Sequence, residues 1–578
     1  MQKLFEKNLK FFYENLPKYY QLITSIKKRN FLIKNDNLYF NNTPVYPNSI
    51  STDSKAIATS PLTNPLWKKE FFIKPQKWDE KKFYKTGKII NSFIQEKENY
   101  AFDSDFLPTT MLFGLLSGAH LEILQNNYYF QSLFIYEPNP EFFAISLYFV
   151  DYEKLYKKLD KRLFLWIGGE IDYFAIEKFF YERIVTSSFL NIYYKAYNHP
   201  LIDDAIIKFS NIQASKLRGW GTYEDEMIGI NNHKKNINNF PLLSKKEKIN
   251  APFCVIANGK SLEKSIDFIK KNQNSMILVS VGTALKPLLK HNITPDFHIE
   301  QERIEILPEV LKDTLPNFNG YFVGASVVRN EVFNMAKNPL MFIREAFSLE
   351  ECYPSLHGSS PIVGNAGFAF AANYTDTIYL CGMDLGFKIG EKKHASGSFY
   401  DSRDDIAKDG IKIKGNFEEY VYTDSLYLSS KDKIEKMIKL LNLKVYNLSD
   451  GAYINGSIPL KDATLNSIDK NKITPKILKT FSNKNFNECN VELNSLINAL
   501  KKAFLLKVSN QKELTGMVDF IEDMIKEYAK IDKKAFTLIK GSLFHILINF
   551  YANSFSLNLK EIKKAQNTIS ENLDIFSK

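Results

Sequence analysis

Short apolar runs that end in glycine, asparagine or an acidic residue recur between about residues 250 and 450. They read FCVIAN, MILVSV, FHIE, GYFVGA, MFIRE and TIYLCGMD, and helical stretches lie between most of them. Such strands are typical of an open parallel sheet. We predict a central Rossmann-like α/β domain with a parallel sheet, whose ligands should bind at the carboxyl ends of its strands.

The regions on either side have different patterns. In the N-terminal region, the strands SLFIYEP and RLFLWIGG flank a helix, which indicates a smaller α/β sheet. From Leu493 onwards, apolar residues recur at helical spacing, which predicts a helical bundle or a docking surface. We therefore predict a degenerate Rossmann-like α/β domain, the central domain and a C-terminal helical domain, at residues 1–240, 241–470 and 471–578.

The N-terminal segment FGLLSGAH, followed by IYEP, has some features of a dinucleotide or methyl-donor site in which Glu137 would bind a ribose. The spacing of its glycines departs from that of such sites. We therefore predict that this sheet is structural and does not form a second active site.

Length and composition are those of a multidomain globular protein. The 578 residues exceed what one core accommodates, since a domain holds roughly 100–200 residues, and the hydrophobic and charged fractions are 44% and 24%. No apolar run approaches the ~18 residues of a membrane span, and the N-terminal residues do not resemble a secretory signal. We therefore expect a cytoplasmic protein without a membrane span.

Net charge bears on the class of partner, and cysteine spacing bears on disulfides and metal sites. The 76 basic and 65 acidic residues give a net charge of +11, but the lysines are dispersed along the whole chain. Dispersed charge indicates a solvated surface, so we do not expect nucleic acid as a partner. The four cysteines lack metal-ligand spacing and suggest neither a disulfide framework nor a zinc site.

The strand FCVI is followed by the turn ANGKSL at residues 257–262. Gly259 could adopt backbone angles closed to other residues and let a ligand approach the main chain, and Ser261 is placed to cap a helix that begins at Leu262. Free N–H groups at such a helix terminus are a natural phosphate site. Taken alone, the motif is better explained as a plain strand-to-helix turn, and the GxxxxGK[ST] spacing of a P-loop is absent.

Two further strand ends carry candidate ligand-binding residues. Gly282 and Thr283 follow the strand MILV, where they suit a strand end that faces a ligand. In the next short strand, alternation places Asp296, His298 and Glu300 on one face, and the acidic residues could hold ribose hydroxyls or a metal ion. Any one of these residues alone would more often belong to a solvated strand end.

The last two motifs lie further along the chain. Gly364 and Asn365 lead into the small-residue helix FAFAANY, which by itself predicts close packing of a helix on the sheet. Asp384 ends the strand TIYL, and His394 follows in the loop EKKHASGSFY, where a histidine could reach a ligand and transfer a proton. A lone loop histidine usually lies on the surface, but this one follows four strand-end motifs of one predicted sheet.

Taken together, the segments ANGKSLEKSI, SVGTALKPLLKHNITPDFHIEQE, PIVGNAGFAFAANYTDTIYLCGMDLGF and KKHASGSFY resemble the motility accessory factor family. Its members are bacterial glycosyltransferases of flagellin. The resemblance covers Asn258 to Tyr400 well and the flanking regions more loosely. The central part is also distantly similar to bacterial lipooligosaccharide sialyltransferases, with ANGKSL in place of AGNGPSL and CGMD in place of SGID.

The resemblance implies a CMP-activated nonulosonic acid, such as pseudaminic or legionaminic acid, as donor substrate and serine or threonine hydroxyls of flagellin as acceptors. The C-terminal helical domain would bind the acceptor protein. Asp384 or His394 would deprotonate the acceptor, and His394 could instead stabilise the phosphate. Glu300 and Asp384 could also hold a divalent metal ion, which the sequence leaves undecided. The residues implied in donor binding are Asn258, Gly259, Ser261, Gly282, Thr283, Asp296, Glu300, Gly364 and Asn365.

Two other functions are compatible with the sequence. A related central domain is associated with a pterin pyrophosphokinase activity, which would require ATP and a metal. A non-catalytic flagellin-binding scaffold would use the helical C-terminal region as its principal site. Chain length and the flanking domains favour the transferase over the phosphotransferase, and the presence of Asn258, Asp384 and His394 favours it over the scaffold.

Overall fold

The computed structural model describes residues 1–27, 29–483 and 485–577, and the chain forms two compact units. The first unit comprises Met1–Trp220, Glu492–Lys530 and Lys540–Lys578, and the second comprises Gly221–Val491 and Ile531–Ile539.

The C-terminal helices do not form a unit of their own, which differs from the predicted domain at 471–578. Most of them belong to the first unit because N-terminal residues cover their apolar faces. Phe555, for example, lies against Phe106 and Phe189, with ring centroids 5.7 and 5.1 Å apart.

The strands follow the apolar runs of the sequence. They are β1 (Phe31–Lys34), β2 (Asn37–Phe40), β3 (Thr43–Pro44), β4 (Trp67–Phe71), β5 (Phe106–Leu107), β6 (Thr109–Phe113), β7 (Tyr129–Phe130), β8 (Leu133–Glu137), β9 (Leu163–Ile167), β10 (Leu190–Lys195), β11 (Leu242–Leu243), β12 (Phe253–Ile256), β13 (Ile277–Val281), β14 (Phe297–Glu300), β15 (Tyr321–Ala325), β16 (Pro339–Arg344), β17 (Ser355–Leu356), β18 (Thr377–Cys381), β19 (Ile411–Lys414), β20 (Tyr420–Thr423), β21 (Lys444–Asn447), β22 (Ser457–Pro459) and β23 (Phe481–Ser482).

Helices connect most of these strands and form the C-terminal region. They are α1 (Gln2–Asn15), α2 (Pro17–Thr24), α3 (Ile50–Ala58), α4 (Thr86–Phe93), α5 (Ala119–Asn127), α6 (Pro140–Ser146), α7 (Tyr152–Leu159), α8 (Tyr173–Glu182), α9 (Pro200–Arg218), α10 (Tyr223–Asn236), α11 (Leu262–Asn272), α12 (Leu285–Lys290), α13 (Leu307–Leu311), α14 (Asn330–Met335), α15 (Val363–Tyr374), α16 (Ser425–Leu441), α17 (Lys470–Leu478), α18 (Asn494–Phe504), α19 (Gln511–Tyr528), α20 (Lys533–Ser554) and α21 (Leu559–Asn572).

The first unit contains a five-stranded sheet in the order β4-β10-β6-β8-β9. Strand β4 is antiparallel to its neighbour, and the other strands are parallel. The predicted strands SLFIYEP and RLFLWIGG correspond to β8 and β9. The smaller N-terminal α/β sheet is therefore confirmed.

The second unit is built on one large sheet in the order β22-β21-β18-β12-β13-β14-β15-β16-β11-β23. Its central strands, from β21 to β16 in this order, are all parallel. The chain adds β13 to β16 on one side of β12 and then returns to β18 and β21 on the other side. In open α/β sheets, ligands bind at the carboxyl ends of the strands beside such a reversal. The predicted Rossmann-like sheet is confirmed, and its reversal lies at β12.

Helices α11 and α15 pack close to this sheet. Leu262, Ile266 and Ile269 of α11 lie in one apolar cluster with Cys254 of β12 and Cys381 of β18. In α15, a Cβ atom added to Gly367 would overlap Val281 of β13. The small residues of the FAFAANY segment therefore allow the close packing that the sequence predicts.

The cysteines differ from the prediction in one respect. Cys254 and Cys381 are buried and free, as expected of small apolar residues. Cys352 and Cys489, however, form a disulfide between positions 137 residues apart in the sequence. The cysteine spacing, which suggested no disulfide framework, does not reveal this pair, because the pairing depends on tertiary proximity.

Helix α20 is long and apolar enough, by length and composition alone, to cross a membrane. A search for uninterrupted apolar residues misses it because Lys540, Ser542 and His545 fall within it. In the structure, 78% of its most apolar window is buried inside the protein. Such burial is typical of a core helix.

Candidate functional site

The turn after β12 is held by the turn after β18. The Gly259 N–H donates to the Gly382 carbonyl at 2.8 Å, and the Ala257 N–H donates to the Cys381 carbonyl at 2.9 Å. Gly259 does not have a positive φ. A Cβ atom at this position would lie 2.5 Å from the Asp384 carboxyl and 2.6 Å from the Gly382 carbonyl oxygen. Glycine is therefore needed for the close approach of the protein's own chain and not for an unusual backbone angle.

Asp384 holds the first turn of α11. Its carboxyl accepts hydrogen bonds from the Ser261 N–H, at 2.9 Å, and from the Ser261 hydroxyl. Burial raises the pKa of Asp384 to about 6. Helix α11 begins at Leu262 as predicted, but the Ser261 hydroxyl does not cap it, because that hydroxyl bonds to Asp384.

The N–H groups at the start of α11 are already bonded within the protein. Besides Gly259 and Ser261, the Lys260 N–H donates to the Lys393 carbonyl at 3.1 Å. The Lys260 side chain forms an ion pair with Glu263 at 2.8 Å. The arrangement therefore offers no open N–H groups to a phosphate at residues 259–261.

His394 forms a hydrogen-bonded pair with Asp405. Its Nδ1 lies 2.9 Å from each carboxylate oxygen of Asp405, and its backbone N–H donates to the same carboxylate at 2.9 Å. The imidazole stacks on Tyr400, with ring centroids 3.9 Å apart. Because the carboxylate only accepts, Nδ1 carries the proton in neutral His394 and Nε2 keeps its lone pair. An imidazole oriented in this way can act as a general base.

Backbone hydrogen bonds fix the His394 loop beside the turn after β12. Gly259 and His394 form an isolated antiparallel bridge, and the Ala395 N–H donates to the Asn258 carbonyl at 3.1 Å. The structure therefore brings together five of the predicted site residues, namely Asn258, Gly259, Ser261, Asp384 and His394.

The turn after β13 lies next to this group. The Asn258 Nδ2 donates to the Thr283 hydroxyl at 2.7 Å, and the buried Asn258 Oδ1 has no partner among the described residues. Gly282 has a φ of +55°, and a Cβ atom there would lie 3.0 Å from the Val363 side chain. Gly282 and Thr283 thus adjoin the start of α15.

Gly364 and Asn365 lie at the start of α15, and both are engaged with the protein. The Asn365 Nδ2 donates to the Ser430 carbonyl at 3.0 Å, and its Oδ1 accepts from the Ser430 hydroxyl at 2.7 Å. A Cβ atom on Gly364 would lie 2.8 Å from the Met383 sulfur. The side chain of Asn365 therefore anchors α16, while Gly364 packs against Met383, the residue before Asp384.

Glu300 and Asp296 lie at opposite ends of β14. Glu300 is at the carboxyl end, where it is 2% exposed and burial raises its pKa to about 8. Its Oε1 is 3.8 Å from Nε2 of the buried His298. Asp296 precedes the strand and pairs with Lys470 at 2.6 Å. A strand of four residues spans roughly 13 Å, so Asp296 is not near the other predicted site residues.

The donor set of Glu300 and Asp384 does not fit a shared divalent ion. Both Asp384 oxygens accept from Ser261, and the raised pKa of Glu300 favours its neutral form near pH 7. Among the described residues, no group of three or more His, Cys, Asp and Glu side chains has an arrangement that could hold a metal ion.

Sequence reasoning misses Asp405, Tyr400 and Tyr427. Burial raises the pKa of Tyr427, and the nearby charges of Asp424, Asp384 and Asp405 raise it further. Tyr427 therefore stays protonated beside the His394–Asp405 pair. Asp405 lies in an acidic loop segment, DSRDD, whose pattern does not indicate which carboxylate faces His394.

Glu137 of the first unit is satisfied by its own surroundings. It accepts from the Leu115 N–H at 2.7 Å, the Asn139 N–H at 2.8 Å and the Tyr197 hydroxyl. The Glu137 carboxyl is therefore bonded within its own unit, and the structural role of this sheet stays a prediction.

Two family models match the chain. Residues 4–216 match the glycosyltransferase Maf N-terminal domain, and residues 229–390 match a domain described as 6-hydroxymethylpterin diphosphokinase MptE-like. The second match includes the turns after β12, β13 and β18 and ends before His394.

One solved structure with the same fold is a Maf glycosyltransferase from Magnetospirillum magneticum AMB-1. It has a TM-score of 0.69 and 20% sequence identity, and the similarity covers 99% of this chain and 94% of that chain. A search of the curated proteins finds no match. The matches to the Maf domain and fold confirm the family resemblance that the central motifs indicate.

Proposed function

Because the chain contains the Maf N-terminal domain and has the fold of a Maf glycosyltransferase, we propose that it transfers a nonulosonic acid from a CMP-activated donor to flagellin. The acceptors would be serine or threonine hydroxyls. The observation that carries this proposal is the His394–Asp405 pair, which lies beside the reversal of strand order at β12. In open α/β sheets ligands bind beside such a reversal, and the pair supplies an oriented base there.

The proton transfer follows from the geometry of this pair. The acceptor oxygen forms a bond to the anomeric carbon of the sugar while the bond from that carbon to the phosphate oxygen breaks. CMP leaves with the electron pair of that bond, and the hydroxyl proton passes to Nε2 of His394. Asp405 holds the Nδ1–H at 2.9 Å and stabilises the imidazolium that forms.

Backbone groups after β13 and at the start of α15 support binding of the leaving phosphate. No described residue accepts a hydrogen bond from the N–H of Thr283, Val363 or Gly364. The start of a twelve-residue helix also carries a partial positive charge, which favours an anion. Asn258, whose Oδ1 is unpaired, is placed to accept a hydrogen bond from the nucleotide.

A mass-spectrometric transfer assay tests the proposal. Purified protein, flagellin and CMP-pseudaminic or CMP-legionaminic acid should raise the mass of flagellin by whole sugar units. His394→Gln should abolish the increase, whereas His291→Gln, at an exposed position after α12, should not change it. No mass increase with either donor, although flagellin binds, would contradict the proposal and support a scaffold.

The match at residues 229–390 makes a pterin diphosphokinase the second candidate. That activity would transfer diphosphate from ATP to the hydroxyl oxygen of a hydroxymethylpterin, with release of AMP and of the hydroxyl proton. It would not need His394, which lies outside the match. ATP consumption that depends on the pterin and survives His394→Gln would favour this function over the transferase.

A further inference from the structure

Arg344 ends β16 on the same rim of the sheet, and it forms no ion pair with the side chains that the structure describes. Its Nη1 is 3.5 Å from the Gln301 carbonyl oxygen and its Nε is 3.4 Å from the Glu345 carbonyl oxygen, both at the outer limit of a hydrogen bond. No carboxylate in the described part of the chain lies within ion-pair distance. Burial lowers the pKa of Arg344 and the charge of Arg303 lowers it further, while the more distant carboxylates of Glu302, Glu226 and Asp225 act in the opposite direction.

The neighbouring Arg303, in contrast to Arg344, forms ion pairs with carboxylates. Arg303 donates to Asp225 and Glu226, with its Nη1 3.0 Å from a Glu226 oxygen. These two carboxylates are therefore neutralised by Arg303. A partly buried guanidinium without a carboxylate is unfavourable in the free protein, so an anionic ligand would be a natural partner for Arg344.

One more polar group beside Arg344 lacks a partner. The Gln301 Oε1 is buried, and no described residue bonds to it. Gln301 follows β14, and its carbonyl oxygen is the one that lies 3.5 Å from the Arg344 Nη1. Buried polar atoms are normally hydrogen-bonded, so Arg344 and Gln301 together have the composition of a polar ligand site.

A chain of contacts joins this group to the phosphate-binding backbone. The Gln301 Nε2 lies 3.5 Å from the Pro361 carbonyl oxygen, two residues before Val363. Val363 in turn adjoins Gly282. A donor whose phosphate lies at Thr283 and Val363 would therefore extend its sugar along the rim towards Gln301 and Arg344.

We propose that Arg344 binds the carboxylate of the donor sugar, with the Gln301 side chain bonding to a neighbouring polar group of that sugar. The inference rests on the proposed function and deepens it. In a nonulosonic acid, the carboxylate is attached to the same anomeric carbon as the phosphate, so the two anions must bind close together. A guanidinium matches a carboxylate with two parallel hydrogen bonds. Arg344 thus selects acidic sugars over neutral nucleotide sugars.

Calorimetry with three ligands tests this proposal on the full chain. The ligands are CMP, a hydrolysis-resistant CMP-nonulosonic acid, and the methyl ester of that compound, which lacks the negative charge on the sugar. Wild-type protein should bind the acid at least about tenfold more tightly than the ester, the effect of one charged hydrogen-bonding group. Equal binding of acid and ester would overturn the proposal without any substitution.

Substitutions separate the carboxylate from the phosphate. Arg344→Gln should weaken binding of the acid by about tenfold to a hundredfold and leave binding of CMP and of the ester unchanged. Arg329→Gln, which removes an arginine paired with Glu331 in the same unit, should change none of the three. Equal weakening of CMP and of the acid would assign Arg344 to the phosphate and overturn the proposal.

Stability provides a readout that does not depend on the ligand. Since the charge of Arg344 is unpaired in the free protein, Arg344→Gln should leave the Tm of the free protein unchanged or raise it, and should reduce the increase in Tm caused by the acid. A lower Tm for the free variant would indicate a structural role and overturn the proposal. If the wild type binds neither CMP nor the acid, the proposed function itself fails, and the role of Arg344 fails with it.

Discussion

Two substitutions at Asp384, to asparagine and to alanine, distinguish a structural role from a catalytic one. In the structural role, which we call bracing, Asp384 only holds Ser261 at the start of α11. In the native protein, the carboxyl accepts from both the N–H and the hydroxyl of Ser261. Asparagine has nearly the same shape. Its oxygen can accept the Ser261 N–H, and its amide can donate to the hydroxyl oxygen once that hydroxyl rotates. Alanine can make neither bond and leaves a buried N–H unpaired.

The raised pKa of Asp384 sets the size of the effect. The folded pKa of about 6 lies above the ordinary value of 3.8, so the native state holds the proton more tightly than the unfolded chain does. The wild type therefore loses stability as the pH rises from about 4 to about 6, by up to about 3 kcal/mol. Asparagine resembles the protonated acid. Asp384→Asn should thus equal the wild type near pH 4 and exceed it at pH 7 by up to about 3 kcal/mol.

Urea unfolding at both pH values and the transfer assay check these expectations. Asp384→Ala should be less stable than Asp384→Asn by roughly 2–4 kcal/mol, because the bonds to Ser261 are lost. Asp384→Asn should keep most of the transferase activity, since the turn and the His394 loop stay in place. A loss of activity of about 10²–10⁴-fold with normal stability would show that Asp384 is the general base and refute the bracing role.

Three further predictions concern the same site. Asp405→Asn should lower kcat about 10²-fold or more without changing CMP affinity, because His394 loses the charge that stabilises its imidazolium. An unchanged kcat would contradict the proposed role of the His394–Asp405 pair. Gly259→Ala should lower the free energy of unfolding by about 1–3 kcal/mol, because its Cβ would lie 2.5 Å from the Asp384 carboxyl. Gly516→Ala, in open space on α19, should not lower it. Similar losses in both variants would refute the close-approach argument. Because the pKa of Glu300 is raised to about 8, the wild type should lose stability as the pH rises from about 4.5 to about 8. Glu300→Gln should remove that loss, as measured by urea unfolding. An unchanged pH dependence in the variant would contradict a buried neutral acid.

The hydrophobic pattern predicts the central sheet and much of the site because parallel topology brings strand ends together. Asn258 and Asp384 follow neighbouring strands β12 and β18, so their proximity requires no knowledge of side-chain packing. Alternation alone is less informative at β14. It shows which residues share a face but not where the strand begins, and Asp296 lies before the first residue of β14. That residue therefore faces Lys470 at the opposite rim.

Residues whose roles depend on tertiary contacts cannot be read from local patterns. Asp405 becomes a partner of His394 only because the loop folds back on itself, and nearby acidic residues in DSRDD look equivalent in the sequence. The pairing of Cys352 with Cys489 has the same origin. Arg344 ends the apolar run MFIRE, but that pattern does not show that it lacks the ion pairs that Arg303 forms with carboxylates.

The glycine turn ANGKSL lies at a helix terminus as predicted, but its N–H groups bond to the protein itself and not to a phosphate. A helix terminus needs acceptors for its first N–H groups, which a phosphate can supply. At α11 the protein supplies them itself, through the Gly382 carbonyl, the Lys393 carbonyl and the Asp384 carboxyl. Because those groups belong to the turn after β18 and to the His394 loop, satisfying the helix also fixes the proposed base. The free N–H groups at α15 are then the better phosphate site. Loosening the first turn of α11 should therefore impair proton transfer more than binding of CMP.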